Sequence, residues 1–205
     1  MDQGAKPKRK LGRIGCGVVI ASLILLGVIG AVADGGQDKR TKPGAGPAPG
    51  PSASASGDGQ AAARATFVAN YRAVLAAAKP CDAMVGGLEA AAKSGSPLTM
   101  YQAAKAGQEA CETAWSDIRK IEPAPLEGAA ADKEKDALKT CGTAYFLRQR
   151  AMETAMKVAD GDAKPSMLSS FQEDMQSGQA AVLMCVGEYM QAAEPAGVKL
   201  DKMKI

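Results

Sequence analysis

The sequence predicts an all-α fold: an antiparallel up-down-up-down four-helix bundle after an N-terminal membrane-spanning segment and a disordered tether. Three observations predict it. Alanine supplies 41 of the 205 residues while Phe, Tyr and Trp together supply eight, the composition of helices with closely approaching backbones. One uncharged run of twenty residues stands near the start. Beyond it, four apolar stripes repeat at steps of three and four, separated by Pro, Gly and Ser.

Residues 1–13 form a basic, cytoplasmic N-terminus. Lys6, Lys8, Arg9, Lys10 and Arg13 precede the run IGCGVVIASLILLGVIGAVA, residues 14–33. A helix of that length spans about 30 Å, the hydrocarbon thickness of a bilayer. The basic flank keeps the N-terminus inside, so everything after Ala33 is expected outside the cytoplasm. The run reads as a transmembrane anchor or a signal peptide; in the second case cleavage after Ala33, behind Ala31-Val32, gives a secreted protein. Cys16 precedes the apolar stretch instead of following it, which argues against a lipidation box.

Residues 34–60 hold four Pro and seven Gly and no aliphatic side chain larger than alanine. They bury too little to offset ordering entropy, which predicts a flexible linker.

The helical domain is expected over residues 61–193. Its first stripe is Phe67, Tyr71, Val74, Ala78, Cys81, Val85, Leu88 and Ala92, in phase across Pro80, so one helix is read through the proline. Ser94 to Pro97 ends it, and Ser96 with Pro97 forms a cap and first turn. The second stripe is Tyr101, Ala104, Gln108, Cys111, Trp115 and Ile118, closed by Pro123-Ala124-Pro125. The third helix runs from about Leu126 to Ala159, with Leu138, Cys141, Tyr145, Arg148, Met152 and Ala155 on its stripe. After Asp160-Gly161-Asp162, Pro165 opens the fourth, whose stripe is Leu168, Phe171, Met175, Gly178, Val182, Cys185, Tyr189 and Ala192. Residues 194–205 are expected to be an irregular tail, since Pro195 and Gly197 oppose further helix.

Cys81, Cys111, Cys141 and Cys185 fall one per helix, each on its stripe. The midpoints between successive cysteines are residues 96, 126 and 163, at or beside the three turns. Folding the chain about those turns brings all four to one height. In an oxidising compartment they read as two disulfides, Cys81–Cys111 with Cys141–Cys185 favoured over Cys111–Cys141 with Cys81–Cys185. The rival reading is a four-thiolate site for Zn²⁺ or Cu(I), though without the paired CxxC spacing of a zinc site.

The absence of histidine removes His-based triads, HExxH zinc sites and His-ligated haem. No nucleotide-binding glycine motif or GxSxG elbow occurs. The run Asp132 to Asp136 is mixed in sign and reads as a solvated face. The net charge of +3 belongs to residues 1–60, which carry eight Lys/Arg against four Asp; the remainder has seventeen basic and eighteen acidic groups, no field for nucleic acid. Arg148, Gln108 and Tyr145 are the polar intrusions on the stripes. They are candidate ligand-binding residues, with Glu188 or Glu109 as partners for the arginine if it is buried. No catalytic residue, metal ligand or cofactor is assigned. The expectation is a non-enzymatic, membrane-tethered, disulfide-stapled module of the cell envelope that binds a protein or small ligand. Met167, Leu183, Val186 and Met190 are its expected exposed apolar contacts. The alternative is an envelope metal-binding protein using the four cysteines.

Overall fold

A computed structural model describes residues 54–200. Four helices, α1 (Ser54–Lys93), α2 (Pro97–Ile118), α3 (Ala129–Ala159) and α4 (Pro165–Ala196), make up most of this region, with no strand among the described residues. The expected N-terminus, membrane segment and first part of the tether, and residues 201–205 of the tail, lie outside the described residues.

α1 begins at Ser54, so the last seven residues assigned to the linker are helical. Ala61, Ala62 and Ala63 follow directly, and strong helix formers extend a helix backwards through Ser and Gly once the core beyond them is fixed. The helix passes without interruption through Pro80. It ends at Gly95, whose positive φ of 69° suits a residue without Cβ. Ser96 then caps α2: its side chain accepts the Thr99 N–H at 3.2 Å, and Pro97 occupies the first turn.

α3 starts at Ala129, three residues later than expected. Gly128 precedes it at φ 60°, and the Pro123–Pro125 segment occupies the turn instead. α4 runs three residues past the expected bundle end, through Pro195 to Ala196. Gly197 closes it in the left-handed conformation; the Val198 N–H reaches the Ala193 carbonyl at 2.9 Å and the Gly197 N–H that of Glu194 at 3.0 Å. This paired closure satisfies the last carbonyls and turns Val198 back onto the core, where Val198 and Leu200 pack. The first part of the tail is therefore tied down.

Neighbouring helices meet through small residues and disulfides. Contacts along α3 advance from Cys141 to Arg150 while those on α4 retreat from Cys185 to Asp174; between α2 and α3, Gly107 meets Met152 and Trp115 meets Phe146. α3 therefore runs opposite to both α2 and α4. α1 touches α4 through rings, Phe67 and Tyr71 lying 5.7 and 5.2 Å from Tyr189 by centroid.

The core has two parts. The larger gathers Phe67, Tyr71, Val74, Tyr145, Val182, Tyr189 and all four disulfide cysteines. The smaller, near the turns after α1 and α3, gathers Leu88, Met100, Ala104, Met152, Val158 and Phe171. On α2 the buried positions are Met100, Ala104, Gly107, Cys111, Ala114 and Ile118. The expected seam through Tyr101, Gln108 and Trp115 is rotated by one residue, because Gly107 and Ala114 let α2 approach the other helices more closely than Gln108 or Trp115 would.

Candidate functional site

The cysteines form two disulfides, Cys81–Cys111 and Cys141–Cys185, with Cα separations of 4.6 and 5.0 Å. Each closes one helical hairpin. Short separations of this kind need small neighbours, and Ala78, Ala114 and Ala144 are all buried beside them. Their sulfurs are bonded to each other and so present no thiolate to a metal. Among the described residues, no group of three His, Cys, Asp or Glu side chains is placed to hold a metal ion.

Beside the disulfides, Arg148 is 5% exposed on the α3 stripe. Its Nη1 donates to Asp82 Oδ1 on α1, and its Nη2 to Gln179 Oε1 on α4 at 2.8 Å. The guanidinium also lies over the Tyr145 ring, 5.4 Å from its centroid. The Tyr145 hydroxyl donates to the same carboxylate, 3.3 Å from Oδ1. Burial, then the Asp82 charge, push the Tyr145 phenol far above its ordinary range. Arg148 thus binds three helices together, and its partners are Asp82 and Gln179 instead of the Glu188 or Glu109 expected from sequence. Only its Nε is left without a hydrogen-bond partner.

The structure brings Arg148 and Tyr145 together but not Gln108, which is half-buried on α2 and shares no hydrogen bond with them. Gly107 takes the buried position instead: a Cβ there would stand 2.8 Å from Met152 Sδ.

A second polar centre was not expected. Glu134 is fully buried, although its charged neighbours suggested a solvated face. Its Oε1 accepts from Asn70 Nδ2 at 2.8 Å and its Oε2 from the Ala124 N–H at 2.9 Å. The signal was present: residue 134 precedes Leu138 by four and Cys141 by seven, so the core stripe passes through it. Nearby, the Tyr189 hydroxyl is buried with no hydrogen-bond partner. Its ionisation is pushed far up by burial and then by Glu134 and Tyr71.

Of the expected apolar contacts, Leu183 is 45% exposed, whereas Met167, Val186 and Met190 are half-buried. Met184 is the more exposed neighbour, at 58%. Sequence reading also missed the surface pair of Trp115 and Phe146, having assigned the tryptophan to the α2 seam. Among the described residues, no helix is long and apolar enough to cross a membrane. No protein-family model, curated protein or solved structure matches this chain.

Proposed function

We propose that the chain is a non-enzymatic interaction module of the cell envelope, an up-down-up-down four-helix bundle on a single membrane anchor. Residues 14–33 hold it in the membrane with residues 1–13 inside, and the stretch that follows carries the bundle outside the cytoplasm. Cleavage after Ala33 gives the same bundle in secreted form.

The observation that carries this reading is the pair of buried disulfides, one in each hairpin. Such bonds persist where the compartment is oxidising, and they suit a core in which alanine occupies many of the buried positions. The two buried polar centres support a scaffold over an enzyme. Arg148 and Glu134 spend their hydrogen bonds on other helices and on the segment between α2 and α3, leaving no nucleophile–base pair among them. The near-neutral bundle favours a protein or small ligand over nucleic acid.

Two measurements test the proposal. Protease added outside intact cells should digest the bundle and spare an epitope at the N-terminus. Intact-mass analysis of the membrane-bound chain should retain residues 1–33 and lack four hydrogens relative to the fully reduced polypeptide. Four free thiols with stoichiometric Zn²⁺ or Cu(I) would replace this reading with a metal-binding protein.

A further inference from the structure

Trp115 and Phe146 touch at the surface of a domain that is short of core volume. Their ring centroids are 5.4 Å apart; Trp115 is half-buried and Phe146 37% exposed. Trp115 is the only tryptophan in the chain. In a bundle whose core relies on alanine, a buried tryptophan would contribute more stability than any other side chain. Trp115 instead rests one side on the core and keeps the rest of its ring at the surface beside Phe146, open to a partner.

Guanidinium groups flank both rings. Arg119 lies 5.1 Å from the Trp115 centroid and Arg150 lies 5.9 Å from that of Phe146. Gly142 lies beside Trp115 and Arg119, its missing Cβ 4.0 Å from Trp115 Cδ1 and 3.7 Å from Arg119 Cγ. On α3, Lys135, Lys139, Phe146 and Arg150 share one helical stripe, with the exposed Asp136 at its edge beside Lys135 and Lys139. Among the described residues, Arg119, Lys135 and Lys139 enter no ion pair, while Arg150 lies 3.5 Å from Asp174. Acidic groups mark the rim: Glu112 on α2, and Asp132, Asp136 and Glu153 on α3.

We propose that the Trp115–Phe146 face docks an acidic polypeptide segment bearing an apolar anchor side chain. The anchor packs on the ring pair, and flanking carboxylates take the N–H groups of Arg119 and Arg150. Aromatic rings joined to arginine are the composition that concentrates binding energy at protein interfaces. The acidic rim favours a narrow peptide over an anionic bilayer, because a flat surface would meet Glu112, Asp132 and Glu153 together with the cations. This inference rests on the interaction-module reading and names the partner class for it.

The test uses the full chain reconstituted in phosphatidylcholine vesicles, with Trp115 emission as the reporter. The probes are a synthetic peptide with Phe and Leu flanked by glutamates, and the same peptide with lysines in their place. The acidic peptide should shift the emission and the basic one should not. Arg119→Gln combined with Arg150→Gln, which sets no second carboxylate against Asp174, should weaken binding by at least about ten-fold while leaving the helical circular dichroism unchanged. No shift, or an equal shift with the basic peptide, overturns the proposal. An emission shift on moving to phosphatidylglycerol vesicles without peptide, abolished by the double variant, overturns it in favour of lipid. Co-purification from native membranes separates the two levels. A defined partner kept by the double variant leaves the module reading standing and removes this surface, whereas no partner for the native chain removes both.

Discussion

Asn70 and Glu134 are 64 positions apart and joined by a 2.8 Å hydrogen bond that fixes α1 against the start of α3. The same amide donates to the Glu122 carbonyl at 2.9 Å, and the other carboxylate oxygen holds the Ala124 N–H. The irregular stretch between α2 and α3 is therefore organised around one buried side chain. Glu134→Ala should lower stability by about 3 kcal/mol, because it strands a buried N–H and opens a cavity. Glu134→Gln should recover less than half of that, since its NH2 must face either the Asn70 amide or the Ala124 N–H, both donors. Thermal unfolding followed by Trp115 fluorescence measures both; a Gln variant as stable as the native chain would show that the carboxylate is not required.

The stripes of α1, α3 and α4 were legible because Phe67, Tyr145 and Tyr189 are large and unambiguous. The stripe of α2 was less so: its buried face is carried by Ala104, Gly107 and Ala114, small residues that give little pattern against Tyr101 and Trp115. Helix ends were obscured for a related reason. Ser54 and Gly57 read as linker, and only the alanines after them extend the helix, while Pro195 reads as a stop although the closure at Gly197 follows it. Arg148 and Glu134 both lay on apolar stripes, yet their partners Asp82, Gln179 and Asn70 are set by tertiary register, which periodicity does not encode.

The two disulfides close loops of similar size, with separations of 30 and 44 residues. Loop entropy assigns each about 4 kcal/mol, with a difference of only about 0.3 kcal/mol in favour of the longer. Cys81→Ser with Cys111→Ser, and Cys141→Ser with Cys185→Ser, should therefore lower the Tm by comparable amounts, each by about 10–15 °C. A much larger loss from one pair would show that its buried packing matters beyond loop closure, since all four cysteines are nearly inaccessible.

Glycines on opposite sides of the helices should respond with opposite signs. Gly86 and Gly87 are exposed within α1, and a Cβ at either meets nothing within 4 Å. Alanine there removes unfolded-chain entropy and should stabilise by about 0.5–1 kcal/mol per site. Gly178 is buried, with a Cβ position 3.1 Å from Arg148 Cγ and 3.3 Å from the Ala144 carbonyl oxygen. Gly178→Ala must push α3 and α4 apart or displace the arginine, and should cost about 2 kcal/mol. Equal effects at Gly87 and Gly178 in thermal unfolding would contradict the close packing of α3 on α4.

Tyr189 should make the bundle sensitive to alkali. Its ordinary ionisation value is 10.0, and burial, Glu134 and Tyr71 raise the folded value well beyond it. The native chain thus keeps a proton that the unfolded chain releases. Stability from this group is complete below pH 10 and falls as pH rises further, by about 1.4 kcal/mol per unit until the folded phenol also ionises. Tyr189→Phe should remove this group's share of the slope and leave that of Tyr145. At neutral pH it should also stabilise by about 1 kcal/mol, because the buried hydroxyl has no hydrogen-bond partner to lose. Tyr145→Phe provides the contrast: its phenol is raised in the same sense, but its hydroxyl serves Asp82, so the neutral-pH change should be a loss of about 1 kcal/mol. Unfolding free energies from pH 7 to 11 decide the matter; parallel curves for native and Tyr189→Phe chains would mean that Tyr189 titrates normally.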